Sequence, residues 1–161
     1  DVNIAIEHRN DGVQHMILNG KDVTGELRTP EMSRYASGVS SLPVVRAFLL
    51  DMQRQLAREN SVVMDGRDIG TVVLPDADVK IFLTASAEQR AQRRYLELTQ
   101  KGEQTTLAKV LEEMQKRDKQ DSTRACAPLK PAKDAVLLDT SELDVEQSAQ
   151  RILKIIREKL A

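Results

Sequence analysis

Asp65, Arg67 and Asp68 stand together in the tetrapeptide DGRD, directly after the short apolar run Val62–Met64. At the carboxyl end of a parallel strand, carboxylates can accept hydrogen bonds from a sugar or a base. An arginine there can clamp a phosphate or carboxylate through two parallel bonds. The same four residues also fit an Asp-Gly turn in which Arg67 pairs with a neighbouring aspartate, and the motif by itself leaves both open. A second group lies in KRDKQDSTR, where Arg117, Asp121 and Arg124 are spaced four and three apart, on one helical face. The segment upstream carries Arg90, Arg93 and Arg94. Arginines converging on one place suit a transition state that spreads negative charge over phosphoryl oxygens. A solvated helix face with ordinary ion pairs is the alternative. A third, looser set is Arg28, Ser37 and Arg46, which read alone as surface residues. His8 and His15 have no cysteine or carboxylate at metal-ligand spacing, so they read as structural or exposed and no metal site is expected. Cys126 lacks a partnering histidine in any recognisable pattern, and a nucleophilic role is not expected.

The elements that must position these groups are legible from turns, caps and apolar spacing. VNIAIEHR, VQHMILNG and KDVTGELRT are short β-type runs separated by Asn10–Gly12 and by Asn19–Gly20, and Asn-Gly and Asp-Gly are hairpin signals. A small antiparallel sheet is therefore predicted. Thr29 followed by Pro30 marks a helix start, with helical spacing through Met32–Ser40. Pro43 opens a second helix, whose Val45, Phe48, Leu49, Met52 and Leu56 share a face. Ser61–Met64, Val79–Thr84 and Ala135–Asp139 are continuous apolar runs, the pattern of parallel strands covered on both faces. Helices are predicted from Ser86 to Gly102, over Thr106–Lys119 and at the C-terminus. Strands alternating with helices after residue 60 predict an α/β fold with a parallel sheet.

Composition narrows the function classes. With 24 Lys and Arg against 25 Asp and Glu, no bulk field draws the chain to nucleic acid or membrane. The chain has the size of one domain, or one domain with a small insertion. No apolar run approaches the ~20 residues of a membrane span. One cysteine excludes an internal disulfide and suits a reducing, cytoplasmic setting. The chain opens on Asp1, directly in a β-type run, as expected of a sequence entered within a longer gene product.

Taken together, LNGKDVTGELRTPEMSRYASGVSSLPVVR, MDGRDIGTVVLPDADVKIFLTASAEQRAQRRYLE and KRDKQDSTRACAPLKPAKDAVLLDTSEL resemble bacterial cytidylate kinases, in order and along essentially the whole chain. That family consists of P-loop nucleoside-monophosphate kinases. The resemblance implies a parallel-sheet kinase core, here of about three strands, carrying a small antiparallel sheet with helices as a monophosphate-binding insert and a helical lid. It divides the chain into an insert at 1–58 and a core at 59–161, with the lid at about 86–126. It implies transfer of the ATP γ-phosphoryl group to CMP or dCMP, with Mg²⁺. By position, Arg28, Ser37 and Arg46 match CMP-binding residues of the insert. Asp65 matches the group that binds the sugar hydroxyl, and Arg67 and Asp68 complete that strand-end site. Arg90, Arg94, Arg117, Asp121 and Arg124 match the lid, whose arginines close over the phosphates while Asp121 helps arrange them.

One departure is large. The family's phosphate-cradling G-x-x-x-x-G-K-[ST] loop is absent from these 161 residues; the one Gly-Lys pair, Gly20–Lys21, is followed by Asp22 and falls in a hairpin turn. Without that loop's N–H groups and lysine, the β- and γ-phosphates have no cradle. The chain alone is therefore expected to have negligible kinase activity and to expose apolar surface that favours self-association. A catalytically silent module that binds CMP is the alternative reading. RNA binding finds no support in four scattered aromatics and a near-neutral charge.

Overall fold

The computed structural model describes residues 2–27, 29–40, 42–123 and 127–161, apart from the side chains of Pro30, Ser33, Arg34 and Ser37. They form two compact units, Asp1–Met52 and Gln53–Ala161.

In the first unit, strands β1 (Ile4–His8), β2 (Gln14–Leu18) and β3 (Lys21–Asp22) make an antiparallel meander. Ile4 faces Leu18 and His8 faces Gln14 across the first ladder. The β2–β3 turn needs two successive residues with positive φ, and Asn19 (φ 50) and Gly20 (φ 82) supply them, as the hairpin signal predicts. The third β-type run is paired only over Lys21–Asp22, because the chain turns at once through Thr24–Leu27. Helix α1 (Pro30–Val39) starts where Thr29 accepts a hydrogen bond from the Met32 N–H. Helix α2 (Pro43–Glu59) begins at its proline, as predicted, and runs across the boundary into the second unit. Val45, Leu49, Met52 and Leu56 are half-buried along it, whereas Phe48 of the predicted face is exposed.

The second unit centres on two parallel strands, β4 (Ile81–Thr84) and β5 (Val136–Asp139), with Ile81 beside Val136 and Thr84 beside Asp139. Helices α3 (Ala87–Gln100), α4 (Leu107–Thr123) and α5 (Val145–Leu160) accompany them. Each helix start carries a side-chain cap: Ser86 accepts from the Gln89 N–H, Thr106 from the Lys109 N–H, and Asp144 with Gln147 forms a reciprocal capping box. Helix α3 ends at Gly102, whose φ of 80 suits glycine. Ala91 on α3 and Val110 on α4 are buried, and Ser148, Ile152, Ile155 and Ile156 make the inward stripe of α5.

The parallel α/β reading holds, with one correction. Ser61–Met64, predicted as a strand, forms no ladder among the described residues. A strand exists only where a neighbour takes up its N–H and C=O groups. Here β4 is paired on one side by β5, and no described residue pairs with Ser61–Met64. Val63 is accordingly 97% exposed. Nor are β4 and β5 covered on both faces, since Leu83 is 55% and Leu137 64% exposed.

Candidate functional site

In the second unit DGRD leads into a single turn of π-helix, Ile69–Val73. The Asp68 carbonyl accepts the N–H groups of Thr71, Val72 and Val73, so the turn closes on the last residue of the motif. From α2, Arg54 caps its other end, donating to the carbonyls of Val72 (2.8 Å) and Val73 (3.0 Å). Gly66 sits close under this turn: a Cβ there would lie 2.8 Å from Cγ1 of Ile69. Lys80, at the entrance to β4, donates to the Pro75 carbonyl and pairs with Asp134 at 2.6 Å. The π-helical turn is thus held from α2 by Arg54, and DGRD is tied to that turn through the Asp68 carbonyl and the close approach of Gly66 to Ile69.

The two readings left open by the motif now separate. Arg67 does pair with an aspartate, but not with a neighbour in DGRD. Its Nε donates to Oδ2 of Asp121 on α4, 2.8 Å away. Asp121 is 8% exposed, and the Arg117 Nε stands 3.9 Å from the same oxygen. The structure therefore brings together Arg67, Arg117 and Asp121, from two segments 54 residues apart. A largely buried carboxylate shared by two guanidinium groups is an anchor that aims cations. Each arginine retains N–H donors for an anionic ligand.

Arg90 behaves differently. Its Nη1 and Nη2 fork onto both oxygens of Asp118 at 3.0 and 2.7 Å, and its Nε donates to the Ala85 carbonyl at 3.0 Å. Arg93 is committed to the turn after β5, donating to the carbonyls of Thr140 (2.5 Å) and Leu143 (3.1 Å). Arg94 pairs on the helix surface with Glu97 at 2.7 Å. Lys101 first, and then Arg94, lowers the Glu97 carboxyl below its ordinary range. Asp65 and Asp68 lie at the motif itself, Asp65 exposed and Asp68 half-buried. In the first unit, Arg46 on α2 donates to the Ser40 carbonyl at 3.5 Å, and Ser37 lies on α1. Arg28, Arg124 and Cys126 lie outside the described residues.

Sequence reasoning missed Asp118 and Arg54. A signal for Asp118 exists on α4: Val110, Leu111, Met114, Asp118 and Asp121 follow one helical stripe, so its inward phase changes from apolar to acidic. Acidic residues at core phase call for cationic partners. His15 is flanked by carboxylates, with Nδ1 2.7 Å from Oδ2 of Asp22 and Nε2 2.9 Å from Oδ2 of Asp11.

Comparison with known proteins decides which family this arrangement belongs to. A family model described as cytidylate kinase matches residues 1–158. This chain belongs to the cytidylate kinase family. It is 54% identical over 145 residues to a cytidylate kinase of Thermosipho melanesiensis, covering 90% of this chain and 67% of that protein. It is 50% identical over 157 residues to one of Desulfitobacterium hafniense, covering 98% and 67%. Against one of Geobacter sulfurreducens it is 48% identical over 159 residues, covering 99% and 68%. The chain thus spans about two thirds of the length of the curated relatives it matches. Among the described residues no group of three or more His, Cys, Asp or Glu side chains converges to hold a metal ion. No helix among them is long and apolar enough to cross a membrane.

Proposed function

We propose that this member of the cytidylate kinase family supplies the monophosphate-binding and lid portion of an enzyme that transfers the γ-phosphoryl group of ATP to CMP or dCMP in the cytoplasm. The observation that carries the proposal is the Arg67–Asp121–Arg117 cluster. It holds two cations around one largely buried carboxylate, beside the DGRD motif. In this reading Asp65 accepts a hydrogen bond from the sugar hydroxyl. Asp68 shapes the loop that leads into the π-helical turn, and Arg67 and Arg117 neutralise phosphate oxygens from positions fixed by Asp121. Arg94 and Arg124 belong to the closing lid, and Arg28, Ser37 and Arg46 supply further CMP contacts. Catalysis of this kind is positioning and charge stabilisation, with no covalent step asked of the protein.

The sequence contains no G-x-x-x-x-G-K-[ST] segment, so nothing in these residues cradles the β- and γ-phosphates. The 161-residue polypeptide assayed alone is expected to bind CMP and to release negligible ADP from ATP. A coupled ADP-release assay together with calorimetric titrations of CMP, UMP and AMP tests this. Selective binding of CMP supports the reading, and failure of a folded chain to bind CMP overturns it. The exposed Val63, Leu83 and Leu137 further support self-association of the isolated chain, which sedimentation velocity would reveal as a concentration-dependent mass.

A further inference from the structure

The turn of α4 that carries Arg117 and Asp121 is tied to the rest of its unit at two places. One tie is the Asp121–Arg67 pair, supported by the Leu129 N–H donating to the Asp121 carbonyl at 2.8 Å. The other lies one turn earlier, where Asp118 receives the fork of Arg90. Arg90 occupies the first turn of α3, and its Nε reaches back to the carbonyl of Ala85, a buried residue just past the end of β4. One planar guanidinium thereby joins the end of a core strand, the start of α3 and the last turns of α4. Three of its five N–H groups are committed to those partners, and the two bonds to Asp118 leave no rotational freedom about the fork. A lysine could not reproduce this, since a point-like ammonium cannot fork onto one carboxylate while bonding a carbonyl behind it.

We propose that Asp118 is a positioning residue and that Arg90 acts with it as a brace, setting the place of Arg117 and Asp121, rather than as a direct ligand of nucleotide phosphate. The resemblance to the family assigns Arg90 to the phosphate-closing lid; its geometry here places it at the start of α3, tied to the end of β4 and forked onto the last turns of α4. The inference rests on the proposed function for its CMP readout and on the geometry alone for its second readout.

The test uses the 161-residue chain with R90A, R90K, D118A, D118N and the double variant R90A/D118A. CMP affinity is measured by calorimetry, and amide exchange at Leu129 and over residues 118–123 by NMR. The brace predicts that R90A and D118A each weaken CMP about tenfold and that the double variant is no weaker than either single one, as residues acting as one unit behave. It also predicts that R90K is as weak as R90A, and that exchange at Leu129 quickens in every variant without CMP present. D118N retains one acceptor oxygen and gives the same changes in milder form, which keeps the test usable if D118A unfolds. The proposal is overturned if R90A and R90K differ sharply while D118A binds CMP as well as or better than the original chain. That pattern makes Arg90 a phosphate ligand that Asp118 merely holds. Should the original chain fail to bind CMP, the functional reading falls separately. Unchanged exchange at Leu129 in D118A would then overturn the brace on its own.

Discussion

Removing the Asp121 carboxylate tests how the candidate site is held, and its cost can be worked from the contacts. Asp121 accepts one short bond from Arg67 and faces Arg117 at 3.9 Å. A hydrogen bond to a charged group contributes about 1.5–3 kcal/mol when shielded from water. The Arg67 side chain is 47% exposed, so roughly half of that survives, about 1 kcal/mol. The Arg117 contact is long and its side chain 53% exposed, worth a few tenths of a kcal/mol. Stranding a charge in a fully buried pair costs about 3–5 kcal/mol. Arg67 can instead rehydrate, so that penalty does not apply. D121A should therefore destabilise the second unit by about 1–1.5 kcal/mol, with a coupling to R67A of about 1 kcal/mol in a double-mutant cycle. Urea unfolding followed by tyrosine fluorescence measures this in a Y35F background, which leaves Tyr95 as the single tyrosine and a reporter of the second unit. The urea midpoint should fall by roughly 0.5 M. A coupling below about 0.3 kcal/mol would show that Arg67 and Asp121 do not act together, and the account of the site would fail with it.

Two further outcomes follow from other parts of the chain. G66A drives a methyl group against Ile69, the first residue of the π-helical turn, and should cost about 1–3 kcal/mol, read in the same urea assay; an unchanged midpoint would mean that the loop is not closely packed there. In the first unit, the Asp11 and then the Asp22 carboxylate raise the His15 imidazole above its ordinary range. Thr24 first, and also His15, holds the Asp22 carboxyl well below the usual carboxylate range. Val13, through its backbone N–H, and then His15 lower Asp11. Only an imidazolium can donate to both carboxylates at once. Arg9, which also pairs with Asp22 and with Glu7, opposes the rise. His15 thus adds stability that is complete below its unfolded value near pH 6.5 and is lost as pH rises through the higher folded value. The two aspartates add stability above about pH 4 that is lost as they protonate. NMR titration should show His15 titrating above the ordinary histidine value, with hairpin amide protection falling over the same range; a His15 midpoint at or below 6.5 would refute the bridge.

Much of the architecture is legible locally because local chemistry decides it. Asn19–Gly20 demands a particular turn, Thr29, Ser86 and Asp144 satisfy the first N–H groups of their helices, and Pro30 and Pro43 cannot stand far inside one. The Ser61–Met64 run was misread because an apolar β-type sequence specifies a strand only where a neighbouring strand completes the ladder. At the site, DGRD and the spacing of Arg117 and Asp121 point to charged groups acting together, and the family resemblance suggests their roles. Which arginine meets which aspartate is not local. Arg67 and Asp121 lie 54 residues apart and Arg90 and Asp118 lie 28 apart, so only the packing of α3 on α4 and of α4 beside the loop decides the pairs. The acidic residues at the inward phase of α4 were the available clue.

In the proposed function Arg67, held by Asp121, receives the phosphate of a pyrimidine nucleoside monophosphate. Calorimetric titration of CMP into the 161-residue chain and into its R67A variant measures it most directly. Saturable binding by the original chain is expected, with an affinity at least about tenfold weaker in R67A, the scale of one lost charge-assisted bond. Equal affinities in the two proteins would contradict it.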